Sequence, residues 1–264
     1  MLFKPYKHFL LTDRLQVYIY GKPHNWSMHN QKSWKNVAML ADTLNVTKIY
    51  SPFPEEFNTR ICQQEDFIEY DPGISKTVKI FRTPKGNPAE GALIPQGAAF
   101  WTTSADCPMI LIYDDKQAVA THSGRDSLVT YDPYQSKIRP NESVIDGMIK
   151  LFPESKHSQL KVFFVNRIAP EHFANPINDP KNGERNKKII NAVIKKWGKE
   201  CIVGNLNEGH ISLATLILKQ CEFYGILSKN IIDGGLDTFS DSHLWSHRQG
   251  NMERNRILVI HHVK

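Results

Sequence analysis

Cysteine is scarce in this chain, and none of it is paired at a spacing suited to a metal or a dithiol. Cys62, Cys107, Cys201 and Cys221 stand far apart. The absence of any CxxC pair argues against a zinc finger or a thioredoxin-type motif. A chain of 264 residues can bury a core without disulfides or a structural metal, so four free thiols fit a reducing, cytoplasmic setting. Long hydrophobic runs are missing too. No stretch approaches membrane-spanning length, and the opening Met1-Leu-Phe-Lys-Pro-Tyr-Lys-His8 lacks the apolar core of a secretion signal. A glycine-rich phosphate loop is absent, Gly234-Gly235 reading only as a turn, and no serine nucleophile elbow occurs. Without an internal repeat, low-complexity tract or linker, the expectation is one domain over 1–264.

What the chain does have is ordinary globular composition, 41% apolar and 23% charged residues. The formal charge of +6 raises nucleic acid as a partner, but the basic residues are dispersed. The clusters at Lys187-Lys188 and Lys195-Lys196 fit a solvated helix face. A small anionic substrate is the milder inference, nucleic acid is not expected, and homo-oligomerisation stays compatible with the sequence.

The hydrophobic pattern predicts strands at 16–20, 77–81, 97–102, 160–165, 230–233 and 256–261. It predicts helices at 33–44, 143–151, 184–197 and 211–224, with Gly198 as a C-cap. The text from Tyr50 to Gly73 reads as loop-rich, and Thr83 to Glu90, with Pro84, Gly86 and Pro88, as a surface loop. Strands and helices do not alternate strictly, so a doubly wound sheet is disfavoured and an α+β fold is expected.

The most informative segment runs from Thr103 to His122. Two apolar runs flank Asp114-Asp115-Lys116, a turn-like cluster, with Cys107 before the first and His122 at the end of the second. Two strands joined by a short turn bring their outer ends together. A Cys beside a His is either an activated thiolate or a pair of ligands for a soft metal.

Thr103-Ser-Ala-Asp106-Cys107-Pro108 and His122-Ser-Gly124-Arg125 resemble the T-A-D-C-x-P and H-A-G-W-R-G blocks of the laccase-domain family, the polyphenol-oxidoreductase-like purine nucleoside phosphorylases. Ile168-Ala-Pro170 is similar to its I-G-P element, and Asn36 to its E-N-R-x-x-L turn. Ile211 to Ile226, followed by Thr238 to Arg248, resembles its C-terminal helix and F-F-S-Y-R-R block. The resemblance implies central mixed β-sheets flanked by helices in four α/β/β/α layers, and a fold like that of the cytotoxic-necrotizing-factor deamidases. It also implies a metal held by three groups, of which the histidine of a Q-V-H is one. The text near Asp71 to Val78 has no histidine. Cys107 and His122 are therefore expected as two ligands of a zinc ion whose third comes from elsewhere, with His24, His29, His172 and His247 as candidates. The older family name implies copper oxidation of phenols, but the multi-histidine copper array is lacking.

The expected catalytic residues are Cys107, His122 and Asp106, the last orienting His122 or a substrate hydroxyl, or capping backbone. Arg125, Arg248 and Ser246 are the expected substrate-binding residues, the arginines because guanidinium binds phosphate bidentately. Trp101, Phe100 and Trp245 read as core or as base-stacking aromatics. The resemblance implies phosphorolysis, and deamination, of purine nucleosides such as adenosine and inosine, with phosphate as co-substrate. Two alternatives stand beside it: a cysteine hydrolase or glutamine deamidase using a Cys107–His122 dyad, and a binding protein without turnover.

Overall fold

In the computed structural model, residues 3–27, 31–54, 58–71, 73, 77–131 and 139–263 are described. Two mixed sheets face each other. The first runs Lys7–Leu10, Leu15–Tyr20, Asn255–His261, Ala98–Ser104, Lys48–Tyr50, Lys79–Arg82, Ile68–Tyr70 across its width. The second runs Ile231–Asp233, Lys161–Val165, Met109–Tyr113, Ala118–His122, Gly91–Ile94, Ile61–Cys62.

The alternation of side chains along each strand builds the layers. Val17, Ile19, Phe100, Ile257 and Val259 of the first sheet meet Met109, Leu111, Ala120 and Phe163 of the second in a dry interior. The intervening residues of the first sheet, Leu258, Ile260, Ala99 and Trp101, pack on Trp34, Val37 and Ala41 of helix Gln31–Thr43. Those of the second, Ile110, Ile112, Val119 and Phe164, pack on helices Val144–Ile149, Gly183–Trp197 and Leu213–Phe223. Central strands buried on both faces read as continuous apolar runs, as Met109–Tyr113 does. The order helix, sheet, sheet, helix is the α+β layering that the resemblance implied.

The predicted helices at 33–44, 143–151, 184–197 and 211–224 form with small shifts at their ends. Ser143 and Ser212 cap two of them by accepting from the Asp146 and Thr215 amides. The loop-rich reading of Tyr50 to Gly73 is corrected, since this stretch carries strands Ile61–Cys62 and Ile68–Tyr70. Both are short and lie on sheet edges, where three residues give no readable period. A short helix, Arg125–Leu128, follows directly on the second strand of the hairpin. No helix among the described residues is long and apolar enough to cross a membrane.

Candidate functional site

The Thr103–His122 segment folds as its pattern requires. Met109–Tyr113 and Ala118–His122 pair antiparallel with His122 opposite Met109. Asp114 closes the turn, its Oδ1 accepting from the Lys116 and Gln117 amides. Cys107 lies on the crossing from strand Ala98–Ser104 of one sheet to Met109–Tyr113 of the other. Ser104 Oγ donates to the Cys107 carbonyl at 2.6 Å and holds that crossing tight. Sulfur and imidazole thus meet at one end of the hairpin. A methyl group built on Gly124 would stand 3.5 Å from Cys107 Sγ and 4.0 Å from His122 Cε1. Glycine there leaves room beside the sulfur.

A residue absent from the sequence reading completes the group. Glu90 Oε2 lies 2.8 Å from His122 Nδ1, which leaves Nε2 as the ring nitrogen available to a cleft ligand. Gly91 pairs with Thr121, which sets Glu90 directly across from His122, and the His122 amide donates to the Glu90 carbonyl at 2.9 Å. Strands approach so closely here that a Cβ on Gly91 would stand 2.5 Å from the Ala120 carbonyl oxygen. The loop that ends at Glu90 is therefore not a surface loop at its end: the carboxylate side chain is 4% exposed and the imidazole 19%.

Electrostatics follow from this placement. Burial by itself would depress the His122 imidazole. The nearby Cys107 sulfur and then the Glu90 carboxylate outweigh it and push the imidazole up to about 10. At neutral pH His122 is a cation held between two acidic groups, a proton donor before it is a base. The other thiols are of a different kind: burial pushes Cys62 and Cys221 up to about 12 and Cys201 to about 11.

Cys107, His122, Glu90, Asp106, Arg125 and Arg248 all line one cleft of about 780 Å³. Asp106, expected beside His122, is spent elsewhere. Its Oδ1 accepts from Thr238 Oγ1 at 2.8 Å and its Oδ2 from the Arg248 amide at 2.9 Å, so it ties the C-terminal segment to the cleft floor. Arg125 is clasped by Asp126 through Nε at 2.9 Å and Nη2 at 3.1 Å, and by Asn175 through Nη1 at 2.5 Å. Asp126 also takes Arg185 at 2.9 Å. Arg248 stands exposed at the rim, donates to the Ala174 carbonyl at 3.0 Å and stacks over Phe173. Burial of its inner part and the nearby Arg125 charge hold this guanidinium below its usual range. Ser246 is fully buried and does not line the cleft. Trp101 and Phe100 belong to the core.

The donor set does not suit the metal that the resemblance implies. Among the described residues no group of three or more His, Cys, Asp and Glu is arranged to hold a metal ion. Nδ1 of His122 is taken by Glu90 and both Asp106 oxygens are committed, which leaves two donors where a zinc site needs three or four. Of the proposed third ligands, His247 lines the cleft from its exposed rim. His172 instead contacts Ser240 and stacks on Phe239, and His24 packs on Phe3 and Trp26. His29 lies outside the described residues.

Comparison with known proteins bears on this arrangement. The family described as multi-copper polyphenol oxidoreductase laccase matches residues 92–261, a span that includes Cys107, His122 and both arginines and begins just after Glu90. The Bacillus licheniformis hypothetical protein YfiH is similar in structure at a TM-score of 0.68 and 13% identity, over 96% of this chain and 98% of that one. YlmD from Geobacillus stearothermophilus gives 0.67 and 11%, over 95% and 93%. Neisseria meningitidis protein NMB0706, of the DUF152 family, gives 0.65 and 12%, over 96% of each. At these identities the likeness is one of fold. No curated protein matches the chain.

Proposed function

The chain belongs to the multi-copper polyphenol oxidoreductase laccase family, and from that membership and the Cys107–His122–Glu90 trio in the cleft we propose that it is an enzyme cleaving purine nucleosides by phosphorolysis, with His122 as the acid. The observation that carries this reading is the imidazole held between Cys107 and Glu90. Breaking the bond from the anomeric carbon to the purine leaves an electron pair on the base. A cationic His122 donates a proton to the departing purine nitrogen as a phosphate oxygen bonds to the anomeric carbon. Glu90 fixes the ring so that Nε2 faces the cleft, and Cys107 keeps the ring charged. Arg248 and the Phe173 ring beneath it form a flat wall for ribose or base. Deamination of adenosine would use the same acid: water bonds to the purine carbon that carries the amino group, and His122 protonates the nitrogen that leaves as ammonia.

The test is incubation of the chelator-treated protein with adenosine, inosine or guanosine, with and without inorganic phosphate, and chromatography of the products. Free base and ribose 1-phosphate formed only with phosphate support the reading. Absence of turnover on all three nucleosides by the wild-type protein refutes it.

A second reading has its own support. Thiol, imidazole and carboxylate in a row form the arrangement of a cysteine hydrolase or glutamine deamidase, in which the sulfur attacks an amide carbon and His122 protonates the leaving amine. Trapping of a thioester on Cys107 with an amide substrate would favour it over nucleoside cleavage. A nucleoside that binds without turnover would instead mark a binding protein.

A further inference from the structure

Every acid lining the cleft is already committed: Glu90 to His122, Asp106 to Thr238 and the Arg248 amide, Asp126 to Arg125 and Arg185. Arg125, the arginine the sequence offered for phosphate, already spends Nε, Nη1 and Nη2 on Asp126 and Asn175. For a different set of guanidiniums, along the wall formed by Ser27, Phe53 and Arg254, the described residues supply no ion pair.

Arg254 lines the cleft half-buried. Its Nη1 donates to the Met252 and Glu253 carbonyls, both at 2.9 Å, and no carboxylate among the described residues pairs with it. Two residues further on, in strand Asn255–His261, Arg256 is fully buried. Its Nη2 reaches only the Ser33 carbonyl, at 3.3 Å, while Nε and Nη1 have no partner. The guanidinium lies 3.6 Å from the Trp26 ring and 4.9 Å from that of Trp101. Trp26 immediately precedes Ser27, and its amide donates to the Arg254 carbonyl at 3.2 Å, so this charge sits directly behind the cleft wall. Arg82 stands 5.1 Å from the Phe53 ring and 5.0 Å from Trp34, with Nε and Nη2 buried and unpartnered.

Burial pushes the Arg256 and Arg82 guanidiniums below their usual range, but a guanidinium starts so high that it keeps its proton in a folded protein. Aromatic faces offset part of the cost of an unpaired buried charge but do not cancel its field. In a poorly polarisable surrounding that field reaches the adjoining cleft with little screening. We propose that the Ser27–Phe53–Arg254 wall is an anion pole that binds a phosphate group, with Arg254 making the direct contact and Arg82 and Arg256 supplying field from behind. The proposal rests on the cleft being the substrate site, as in the reading above. It assigns the phosphate to a wall distinct from the Arg248–Phe173 wall.

The phosphate has two possible sources, the free co-substrate and a nucleoside 5′-phosphate. Calorimetric titrations of the full chain with inorganic phosphate, adenosine and adenosine 5′-monophosphate separate them. Saturable phosphate binding, weakened roughly tenfold or more in Arg254→Gln and changed less than twofold in Lys195→Gln, on the exposed face of helix Gly183–Trp197, supports the pole. Simultaneous binding of phosphate and adenosine identifies the co-substrate. Competition between phosphate and the monophosphate, with the monophosphate tighter than adenosine only while Arg254 is present, identifies a nucleotide. Wild-type protein that does not saturate with either phosphate compound overturns the inference, as does an Arg254→Gln protein that binds them like wild type. Thermal unfolding of the variant, together with Arg254→Lys, distinguishes loss of the fold from loss of the site. Binding is read without turnover. Failure here therefore leaves nucleoside cleavage standing, and failure of nucleoside turnover leaves phosphate binding to be judged by its own titration.

Discussion

Replacing Glu90 by glutamine tests the site most directly, because the amide keeps the size and an acceptor oxygen while removing one charge 2.8 Å from His122 Nδ1. A hydrogen bond to a charged group contributes about 1.5–3 kcal/mol, and each pKa unit corresponds to about 1.4 kcal/mol. His122 stands at about 10 in the wild-type protein. The Cys107 contribution, which is the larger, survives the substitution. The imidazole of Glu90→Gln should therefore titrate roughly one to two units lower, near pH 8–9. Because the folded value lies above the ordinary 6.5, the stability that this charge contributes is complete below about pH 6.5 and is lost as pH rises through 10. The variant should be less stable than wild type by about 1.5–3 kcal/mol at pH 6, a gap that narrows at high pH. The His122 ring-proton resonance followed against pH, with urea unfolding at pH 6 and 10.5, measures both quantities. If acid catalysis is the role, the alkaline limb of the turnover profile moves with the resonance. An unchanged His122 titration in the variant would refute the argument.

Other outcomes follow from the same geometry. Iodoacetamide at neutral pH should label Cys107 well ahead of Cys62, Cys201 and Cys221, which burial both shields and raises; peptide mass spectrometry reads the order, and equal rates would remove Cys107 as a special thiol. Gly124→Ala should slow that labelling, because the added methyl stands 3.5 Å from the sulfur, while stability holds or rises by about 0.4–1 kcal/mol. Asp106→Ala should cost about 1–3 kcal/mol in urea unfolding, since Thr238 Oγ1 is left buried without its partner. Chelator treatment should leave the thermal midpoint within about 2 °C, because a two-donor set contributes little folding energy; a drop of many degrees would point to a third ligand among residues such as His29.

The sequence by itself determined the hairpin. Two apolar runs around Asp114-Asp115-Lys116 leave one compact solution, and that solution places Cys107 and His122 at a common end. Capped amphipathic helices such as Leu213–Phe223 were legible for the same reason: their signal lies within a dozen neighbouring residues. Pairing between distant strands was not legible. Glu90 reads as the end of a proline-rich loop until Gly91–Ile94 is known to lie against Ala118–His122, and a one-residue slip would turn its carboxylate away. Asp106 looked like a partner for His122 because it adjoins Cys107. Only tertiary structure brought Thr238 and the Arg248 amide, more than a hundred residues on, to claim its oxygens. The guanidinium charge behind the Ser27–Arg254 wall, unpaired among the described residues, has the same origin. Arg82, Arg254 and Arg256 are ordinary basic residues in the text, and which of them lacks a counter-ion depends on what the folded chain places beside each.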